Sequence, residues 1–438
     1  WAQGGLAAAL GPDDSPELHR RDTETAGRGA VRRTAANVLV REAPQAVADL
    51  VALGVGFDRD EDGELALGLE GGHGRRRVAH AGGSATGRRV VRQLASVVVQ
   101  EPGITVLEGA RASTLWTTES GGRCVGVVGE DGRAISARAT ILATGGAAAL
   151  WARTTNPPGS LGIGLMLAHA AGAALADLEF VQFHPTAIIG VPGREGFLVT
   201  EAIRGEGATL LDAAGERFVE ELAPRDEVAR AIFRKVREQG TDHVSLDMRH
   251  IDPRHFPNVV DALRDHGIDP VTELLPVAPA CHYVMGGIAA DLDGGTTVPG
   301  LYAIGESACT GLHGANRLAS NSLSECFVMG RRAALAGLNE PEPAPLPPRP
   351  TSGTIDLPSP ETRAALWELA GVERDRAGLE QLAKDPHPLA KLVATCALAR
   401  EESRGAHLRV DFPELDPALD QMHAVVRGDA PPRLERWL

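Results

Sequence analysis

The sequence lacks the features of several large protein classes. Its five cysteines are scattered singly with no C-x-x-C pair, so they give neither a disulfide framework nor a zinc knuckle. A reduced, cytoplasmic setting is the simplest interpretation. No apolar run reaches the ~18 residues that a membrane span needs. Basic residues number 44 against 58 acidic ones, for a net charge of −14. This balance argues against nucleic acid or an anionic membrane as a partner, since both attract basic surfaces.

The sequence also lacks a secretory signal and a glycine-rich dinucleotide-binding motif. The first residue is Trp1, and no secretory pattern of charged start, apolar stretch and cleavage site follows it. No G-x-G-x-x-G motif occurs either, because Gly162-Ile163-Gly164 continues with Leu165 and fails the pattern. We therefore expect a natural beginning upstream of Trp1.

What is present fits an α/β protein of two or three domains, with 438 residues of which 43% are hydrophobic. A strand over 139–143 runs into Thr144-Gly-Gly, which predicts that a ligand or another backbone approaches its end closely. The proline-rich segment 340–350 predicts a linker, and the helical patterns after it predict a separate bundle. Periodicity further predicts helices over 44–53, 161–175, 225–238 and 322–338, and strands over 104–107, 124–128, 134–135 and 298–305.

The densest candidate for chemistry is the stretch 310–325, where Gly, Asn and Ser precede the predicted helix. Free backbone N–H groups at a helix start suit an anion or a carbonyl oxygen. Arg317 could grip a carboxylate with both guanidinium branches. A capped helix with a surface arginine explains the same residues, and the spacing leaves both interpretations open.

Other candidates are weaker when taken singly. His184 precedes a proline and His282 follows Cys281, and each alone is more often structural; no third ligand stands at metal spacing, so we predict no metal site. Glu201 and Arg204 are three residues apart, which makes them neighbours on a helix. Arg225 stands at a predicted helix start, where a cation is disfavoured, although a solvated arginine is the commoner explanation.

Read together, these stretches resemble one family, the L-aspartate oxidases of the succinate dehydrogenase/fumarate reductase flavoprotein superfamily. The similarity covers nearly the whole chain, and several of the matching motifs are long. They lie at residues 2–5, 70–73, 80 with 85–87, 143–146, 154–157, 179–186, 198–207, 222–226, 282–283 with 286–287, 301–306, 311–325 and 400–407.

The resemblance implies an α/β fold with α+β elements. A Rossmann-like FAD domain would be assembled from residues 1–177 and 284–345, with an α+β capping domain over 178–283 inserted between them and a C-terminal helical bundle over 358–428. The family pattern places a βαβ unit of roughly 50 residues, with the G-x-G-x-x-G turn, before the position of Trp1.

The resemblance also implies an activity. It is the FAD-dependent oxidation of L-aspartate to iminoaspartate by hydride transfer from Cα to the flavin N5, with O2 or fumarate as acceptor, as the first step of NAD biosynthesis. The unstable product makes a transient contact with quinolinate synthase an expectation. Two alternatives stay open: a fumarate reductase or succinate dehydrogenase flavoprotein, and a truncated, inactive flavoprotein that cannot hold FAD.

Matching positions carry the family's roles onto this chain. Arg225 would be the catalytic arginine that shuttles a proton, with Glu201 and Arg204 as its relay to solvent. The expected substrate-binding residues are Glu70, which would orient the amino group, and His184, Thr200, His282 and Arg317, which would hold the carboxylates. The expected FAD-binding residues are Ala2, Gln3, Gly4, Gly5, Glu306, Ser320, Ser322 and Leu323. Ile163 replaces an aspartate that contacts FAD in the family, and Ile cannot form that hydrogen bond.

Overall fold

The computed structural model describes residues 3–118, 122–342 and 346–438. Helices and strands alternate through these ranges, in agreement with the predicted α/β class with α+β elements. The described residues form eleven α-helices: α1 (Pro16–Ala26), α2 (Arg33–Ala52), α3 (Thr86–Gln100), α4 (Ile163–Ala170), α5 (Glu201–Gly205), α6 (Arg225–Gln239), α7 (Pro257–Arg264), α8 (Asn321–Gly337), α9 (Pro360–Leu369), α10 (Arg376–Leu382) and α11 (Pro388–Ala399).

The strands form five sheets within the described residues. They are β1 (Leu6–Ala7), β2 (Leu67–Gly68), β3 (Val78–Ala79), β4 (Ala112–Thr117), β5 (Cys124–Gly129), β6 (Ala134–Ser136), β7 (Thr140–Leu142), β8 (Leu175–Ala176), β9 (Val181–Ile188), β10 (Thr209–Leu211), β11 (Val244–Asp247), β12 (Leu275–Val284), β13 (Gly287–Ala289), β14 (Leu301–Ala303), β15 (Ala308–Cys309), β16 (Met422–Val426) and β17 (Arg433–Arg436).

One core lies between helices α2 and α8 and the small sheet β1-β3-β2. In α2, Leu39, Ala43, Val47 and Leu50 recur at helical spacing and are all buried, so one face of this helix packs on the core. Strands β7 and β14, predicted separately from the sequence, pair in parallel with Thr140 opposite Leu301. The N–H of Ala7 in β1 donates to the carbonyl of Ser320 at 3.2 Å, which holds the N-terminus of α8 beside β1.

A second core lies under the antiparallel sheet β10-β11-β12-β9. Helix α6 covers this sheet through buried Val228 and Ile232, which lie four residues apart on one face. Strand β9 is buried along its whole length and pairs with β12, Phe183 opposite Cys281. These two strands bring the predicted residues His184 and His282 to the same end of the sheet.

The C-terminal residues differ from the prediction in one respect. Helices α9, α10 and α11 form as expected, but the tail also contributes strands β16 and β17. Strand β16 pairs with β8, Val425 opposite Ala176, in the sheet order β15-β13-β8-β16-β17. The tail is therefore joined to the rest of the chain by backbone hydrogen bonds. The domain limits given above stay a prediction.

Two local predictions were wrong. The segment 104–107 is not a strand: it follows the end of α3 and lies exposed, with no neighbouring strand to pair with among the described residues. Helix α4 spans only Ile163–Ala170 of the expected 161–175, because Gly172 has a φ of 92° and ends the helical path.

No helix in the described ranges is both long and apolar enough to cross a membrane.

Candidate active site

A cavity of about 580 Å³ opens where strands β9 and β12 and helices α5 and α6 meet the N-terminus of α8. Fourteen of the residues predicted for the site line it together: Gln3, Gly4, Gly5, Glu70, His184, Thr200, Glu201, Arg225, His282, Glu306, Arg317, Ser320, Ser322 and Leu323. Arg204 lies behind Glu201, outside the lining. Ala2 falls outside the described residues.

The strongest polar contact in the cavity joins Arg225 to Glu201. Arg225 is the first residue of α6, and its Nε lies 2.6 Å from Oε2 of Glu201, the first residue of α5. Burial by itself would raise the pKa of this carboxyl, but the guanidinium groups of Arg225 and Arg204 outweigh it and lower the pKa of Glu201 to about 2. Glu201 is therefore ionised at neutral pH, and it holds Arg225 in place.

Arg204 extends this ion pair away from the cavity. Its Nη2 lies 3.9 Å from Oε2 of Glu201, and its Nη1 donates to the backbone carbonyl of Glu221. The Glu221 carboxylate in turn accepts from Arg217, whose side chain is 57% exposed. Burial lowers the pKa of Arg204, which is itself only 2% exposed. A chain of polar groups thus runs from Arg225 to the surface.

Arg317 is a second cation of the lining and is held mostly by uncharged partners. Its Nη1 donates to Ser322 at 3.3 Å, and its guanidinium lies over the Tyr283 ring at 4.7 Å. Burial and the nearby charge of Arg225 lower the pKa of Arg317 to about 10, so the side chain keeps its proton at neutral pH. Its Nε is buried without a hydrogen-bond partner among the described residues.

Gln182 is a residue of the site that the sequence analysis missed. Its Oε1 accepts from Nη2 of Arg317 at 3.0 Å and from Nη1 of Arg225 at 3.4 Å. Its Nε2 donates to Asn316 at 2.8 Å. Gln182 and His184 lie two residues apart on β9 and so point to the same face of the sheet. That alternation could have identified Gln182 from the sequence.

The two histidines are neighbours, with ring centroids 5.3 Å apart. Burial, together with the positive charges of Arg225 and Arg317, holds the pKa of both His184 and His282 well below 6.5. Nδ1 of His184 accepts from the N–H of Thr186 at 3.3 Å, which leaves the proton of the neutral ring on Nε2. Each ring is therefore neutral at pH 7 and can offer a hydrogen bond without adding charge.

Glu70 comes from a glycine-rich loop that is wedged against the ion pair. Its Oε2 accepts from Ser320 Oγ at 2.6 Å, and the N–H of Gly5 donates to the same hydroxyl at 3.2 Å. The next residue, Gly71, touches Glu201: a Cβ built there would lie 1.8 Å from Oε1 of that carboxylate. Only glycine fits this close approach. The loop thus sets Glu70 and Glu201 side by side.

The remaining part of the lining suits a flavin. Burial raises the pKa of Glu306 to about 7, and the carboxyl accepts from the N–H of Val284, leaving its second oxygen for a hydroxyl. The N-cap residue Ser320 makes no side-chain hydrogen bond to the helix, so the first turn of α8, with Ser322 and Leu323, presents its N–H groups to the cavity. These donors, with the Gly4-Gly5 loop, fit the polar edge of a flavin ring.

Ile163 lies outside this cavity. It is the first residue of α4 and lines a separate cavity of about 550 Å³, with Met166 and Leu167 on the same helix face. Its side chain therefore faces apolar neighbours.

Within the described ranges, no group of three or more His, Cys, Asp or Glu side chains is placed to hold a metal ion.

Chemically, the site combines the buried guanidinium of Arg317, the half-buried guanidinium of Arg225, two neutral histidines and the carboxylates of Glu70 and Glu201. The cations suit a small dicarboxylate, and the histidines and Thr200 add hydrogen bonds. Glu70 offers a negative partner to an amino group on the same molecule. An arginine with a polar path to the surface can also exchange a proton with a bound molecule.

Comparison with protein families matches two parts of the chain. Residues 1–323 match the family of the FAD binding domain, and residues 384–436 match the C-terminal family of the fumarate reductase flavoprotein. The first match spans about three quarters of the 438 residues. This match agrees with the donors of the cavity that fit the polar edge of a flavin ring.

Three curated relatives are L-aspartate oxidases. The chain is 45% identical to the L-aspartate oxidase of Streptomyces coelicolor, over 98% of this chain and 84% of the relative. It is 48% identical to that of Mesorhizobium japonicum, over 95% of this chain and 85% of the relative. It is 46% identical to that of Caulobacter vibrioides, over 98% of this chain and 89% of the relative.

Solved structures share the fold. A quinol fumarate reductase of E. coli, with a substitution in its FrdA chain, superposes with a TM-score of 0.87 at 28% identity, over 99% of this chain and 88% of the other. Sdh1 of Mycobacterium smegmatis, in complex with UQ1, superposes with a TM-score of 0.81 at 30% identity, over 99% of this chain and 87% of the other. The predicted fold class is thereby confirmed.

Proposed function

The chain belongs to the L-aspartate oxidase family, and from this premise we propose how its cavity carries out the reaction. It is an FAD-dependent oxidoreductase that converts L-aspartate to iminoaspartate, with O2 or fumarate as electron acceptor, as the first step of NAD biosynthesis. The observation that carries the mechanism is the pair of guanidinium groups, Arg225 and Arg317, joined through Gln182 beside two neutral histidines.

The substrate is held by its two carboxylates. Arg317 takes one of them through its guanidinium group, which belongs to the cavity lining and keeps its charge at neutral pH. His184, His282 and Thr200 hold the other by hydrogen bonds from neutral groups. Because both rings are neutral, the site binds a dicarboxylate without accumulating positive charge beyond its arginines.

Glu70 selects the amino group. It lines the cavity, and its carboxylate is held by Ser320 at 2.6 Å, so it faces the substrate from a fixed position. An ammonium or amine on Cα gains a charge-assisted hydrogen bond there, whereas succinate has no donor to offer. Glu70→Gln should therefore raise the KM for L-aspartate more than the KM for fumarate.

In the oxidation, the Cα–H bond breaks with its electron pair, the nitrogen loses protons, and a C=N bond forms. FAD, when bound, would supply the acceptor for this hydride and the route by which two electrons reach O2 or fumarate. Gln3, Gly4, Gly5, Glu306, Ser320, Ser322 and Leu323 would hold it, Glu306 through a hydroxyl and the start of α8 through its N–H groups. The arginines and histidines fix the substrate carboxylates so that Cα keeps one orientation.

Arg225 moves the proton in the fumarate half of the reaction. Fumarate that accepts two electrons needs a proton at carbon, and Arg225 lines the cavity with a polar path behind it. Glu201 takes up and returns the proton at Oε2, and Arg204 connects it onward to Glu221.

Ala2 completes the expected FAD-binding set as an assignment from the resemblance alone.

The proposal extends to the location of the protein and to a partner enzyme. The scattered cysteines, all free in the described structure, support a cytoplasmic location. Iminoaspartate is unstable in water, so a transient contact that hands it to quinolinate synthase would shorten its exposure.

The test is a comparison of substrates. The purified protein, supplied with FAD, should oxidise L-aspartate with release of hydrogen peroxide under air, and Arg225→Leu should lower fumarate-dependent turnover by about 10²-fold to 10⁴-fold. Turnover of succinate without turnover of L-aspartate would instead identify a succinate dehydrogenase or fumarate reductase. A protein that stays colourless with added FAD would indicate an inactive flavoprotein.

A further inference from the structure

Three arginines in the lining have no role in the mechanism above. Arg153 follows the end of β7 and a short 3-10 turn, Arg194 lies in the loop between β9 and α5, and Arg363 is on α9. All three side chains are half-buried. We refer to Arg153, Arg194 and Arg363 as the outer arginine cluster.

Backbone contacts bring the cluster together from distant parts of the sequence. Nη2 of Arg363 donates to the carbonyl of Trp151 at 3.3 Å, and the N–H of Ala152 donates to the carbonyl of Arg363 at 3.0 Å. The loop that carries Arg194 touches the same segment at Gly196, where a Cβ would lie 2.0 Å from the carbonyl oxygen of Thr154. Arg153 stands between these two contacts.

The charges of the cluster are not neutralised. Among the described residues, none of its three members forms an ion pair with a carboxylate. Arg153 donates to the carbonyl of Asp242 and lies over the Trp367 ring at 5.2 Å. Arg194 donates to the carbonyl of Ala262, and Nε of Arg363 is buried without a partner.

Neutral partners also complete the surroundings of Arg194, which donates to Nδ1 of His266 and lies over the Phe197 ring at 5.3 Å. The acidic residue beside the cluster in the lining is Glu195, which is exposed and accepts from the N–H of Gly190 at 2.8 Å. The carboxylate of Asp242 is also close enough to feel the charge of Arg153. Two carboxylates against three guanidinium groups still leave this part of the lining positive, in a chain of net charge −14.

The cluster continues directly into the inner site. Two residues after Arg153, Thr155 lies with its Oγ1 2.8 Å from Nδ1 of His282. Asn156 donates from Nδ2 to the carbonyl of His282 at 3.0 Å. A molecule that leaves the outer arginine cluster along this wall therefore meets the histidine pair next.

We propose that the outer arginine cluster is an entrance site for dicarboxylates. A positive, partly enclosed surface raises the local concentration of anions and speeds their association, whereas the net negative charge of the whole protein repels them. The proposal rests on the proposed function, since it names where the substrates of that reaction first bind. Fumarate carries two negative charges and L-aspartate a net single one, so fumarate is attracted more strongly.

The experiment measures kcat/KM for L-aspartate and for fumarate against ionic strength, from about 0.02 M to about 0.3 M. Wild-type holoenzyme should lose kcat/KM as salt rises, more steeply with fumarate, while the reaction of the reduced enzyme with O2, which is uncharged, should not change. Arg194→Gln combined with Arg363→Gln should lower kcat/KM for fumarate roughly tenfold at low salt and flatten the salt dependence. The competitive Ki of succinate should rise in parallel.

Matched variants separate charge from structure. Arg194→Lys with Arg363→Lys keeps the charge and should retain most of the kcat/KM. Arg249→Gln combined with Arg254→Gln removes the same two charges from exposed arginines that pair with Asp247 and Asp252 outside the cavity, and it should leave the salt dependence as in wild type.

Equal behaviour of the cluster variant and the variant with Arg249→Gln and Arg254→Gln would overturn the proposal, as would equal salt dependence for fumarate and O2. A wild-type holoenzyme that does not oxidise L-aspartate at all would overturn the proposed function instead. The succinate Ki, which needs only binding, still tests the entrance site in that case.

Discussion

The side-chain oxygen of Gln182 accepts a hydrogen bond from Nη2 of Arg317 at 3.0 Å. The same oxygen faces Nη1 of Arg225 at 3.4 Å. Two guanidinium groups that would repel one another thus share one neutral acceptor, and Asn316 fixes that acceptor from behind. The amide sets the distance between the arginine proposed to bind a carboxylate and the arginine proposed to move a proton.

Replacing this amide tests its positioning role. Gln182→Met keeps the length of the side chain but removes the acceptor, and a hydrogen bond to a charged group contributes about 1.5–3 kcal/mol. We expect kcat/KM for L-aspartate to fall by roughly one to two orders of magnitude. Gln45→Met, at an exposed glutamine on α2, serves as the control. An unchanged kcat/KM in Gln182→Met would remove the residue from the account.

The proton path makes a prediction for Arg225. Arg225→Leu should lower fumarate-dependent turnover by about 10²-fold to 10⁴-fold, the range of a general acid. The fold should persist, because the side chain lies in the cavity wall and its removal leaves the core of α6 intact. Steady-state kinetics with circular dichroism checks both statements. A turnover near that of wild type would exclude Arg225 as proton donor.

A single methyl group should disturb the Glu70 loop. Gly71→Ala puts a Cβ 1.8 Å from Oε1 of Glu201, so either the loop or the carboxylate must move. We expect a large loss of kcat/KM for L-aspartate with a small change in Tm, measured by kinetics and thermal unfolding. Gly56→Ala is the control, since that glycine is exposed and a Cβ there meets nothing within 4 Å. Equal activity of the two variants would contradict the contact.

Acid stability should report on Glu201. Its pKa is lowered from 4.5 to about 2, so the folded state favours the carboxylate. This stabilisation is complete above about pH 4.5 and is lost as the pH falls toward 2; its size is on the order of 3 kcal/mol. The difference in unfolding free energy between wild type and Glu201→Gln should therefore shrink between pH 5 and pH 3, as urea unfolding at each pH would show. Glu238→Gln, on the surface, should show no such trend.

The sequence predicted the site mainly through its long motifs. Glu201 and Arg204 were expected as neighbours from their spacing, and helix α5 confirms that adjacency. The contact between Glu201 and Arg225, 24 positions apart, depends on how the two helix starts meet, and no local pattern encodes it. Gln182 was overlooked although it shares a strand face with His184.

Other features depend on tertiary neighbours. Residues 104–107 have the composition of a strand, but a strand forms only where a partner offers hydrogen bonds. Strand β16 is a short apolar run whose partner, β8, lies some 250 residues earlier, and periodicity gives no sign of that pairing. The outer arginine cluster is held by backbone carbonyls and aromatic rings, which are contacts that residue type alone does not predict.

The central claim is that the cavity oxidises L-aspartate at Cα. The most direct measurement mixes the FAD-loaded protein with L-aspartate without oxygen and follows the flavin absorbance, with succinate and Cα-deuterated L-aspartate in parallel. The account predicts bleaching by L-aspartate, slower bleaching by the deuterated substrate and none by succinate. Bleaching by succinate but not by L-aspartate would contradict it.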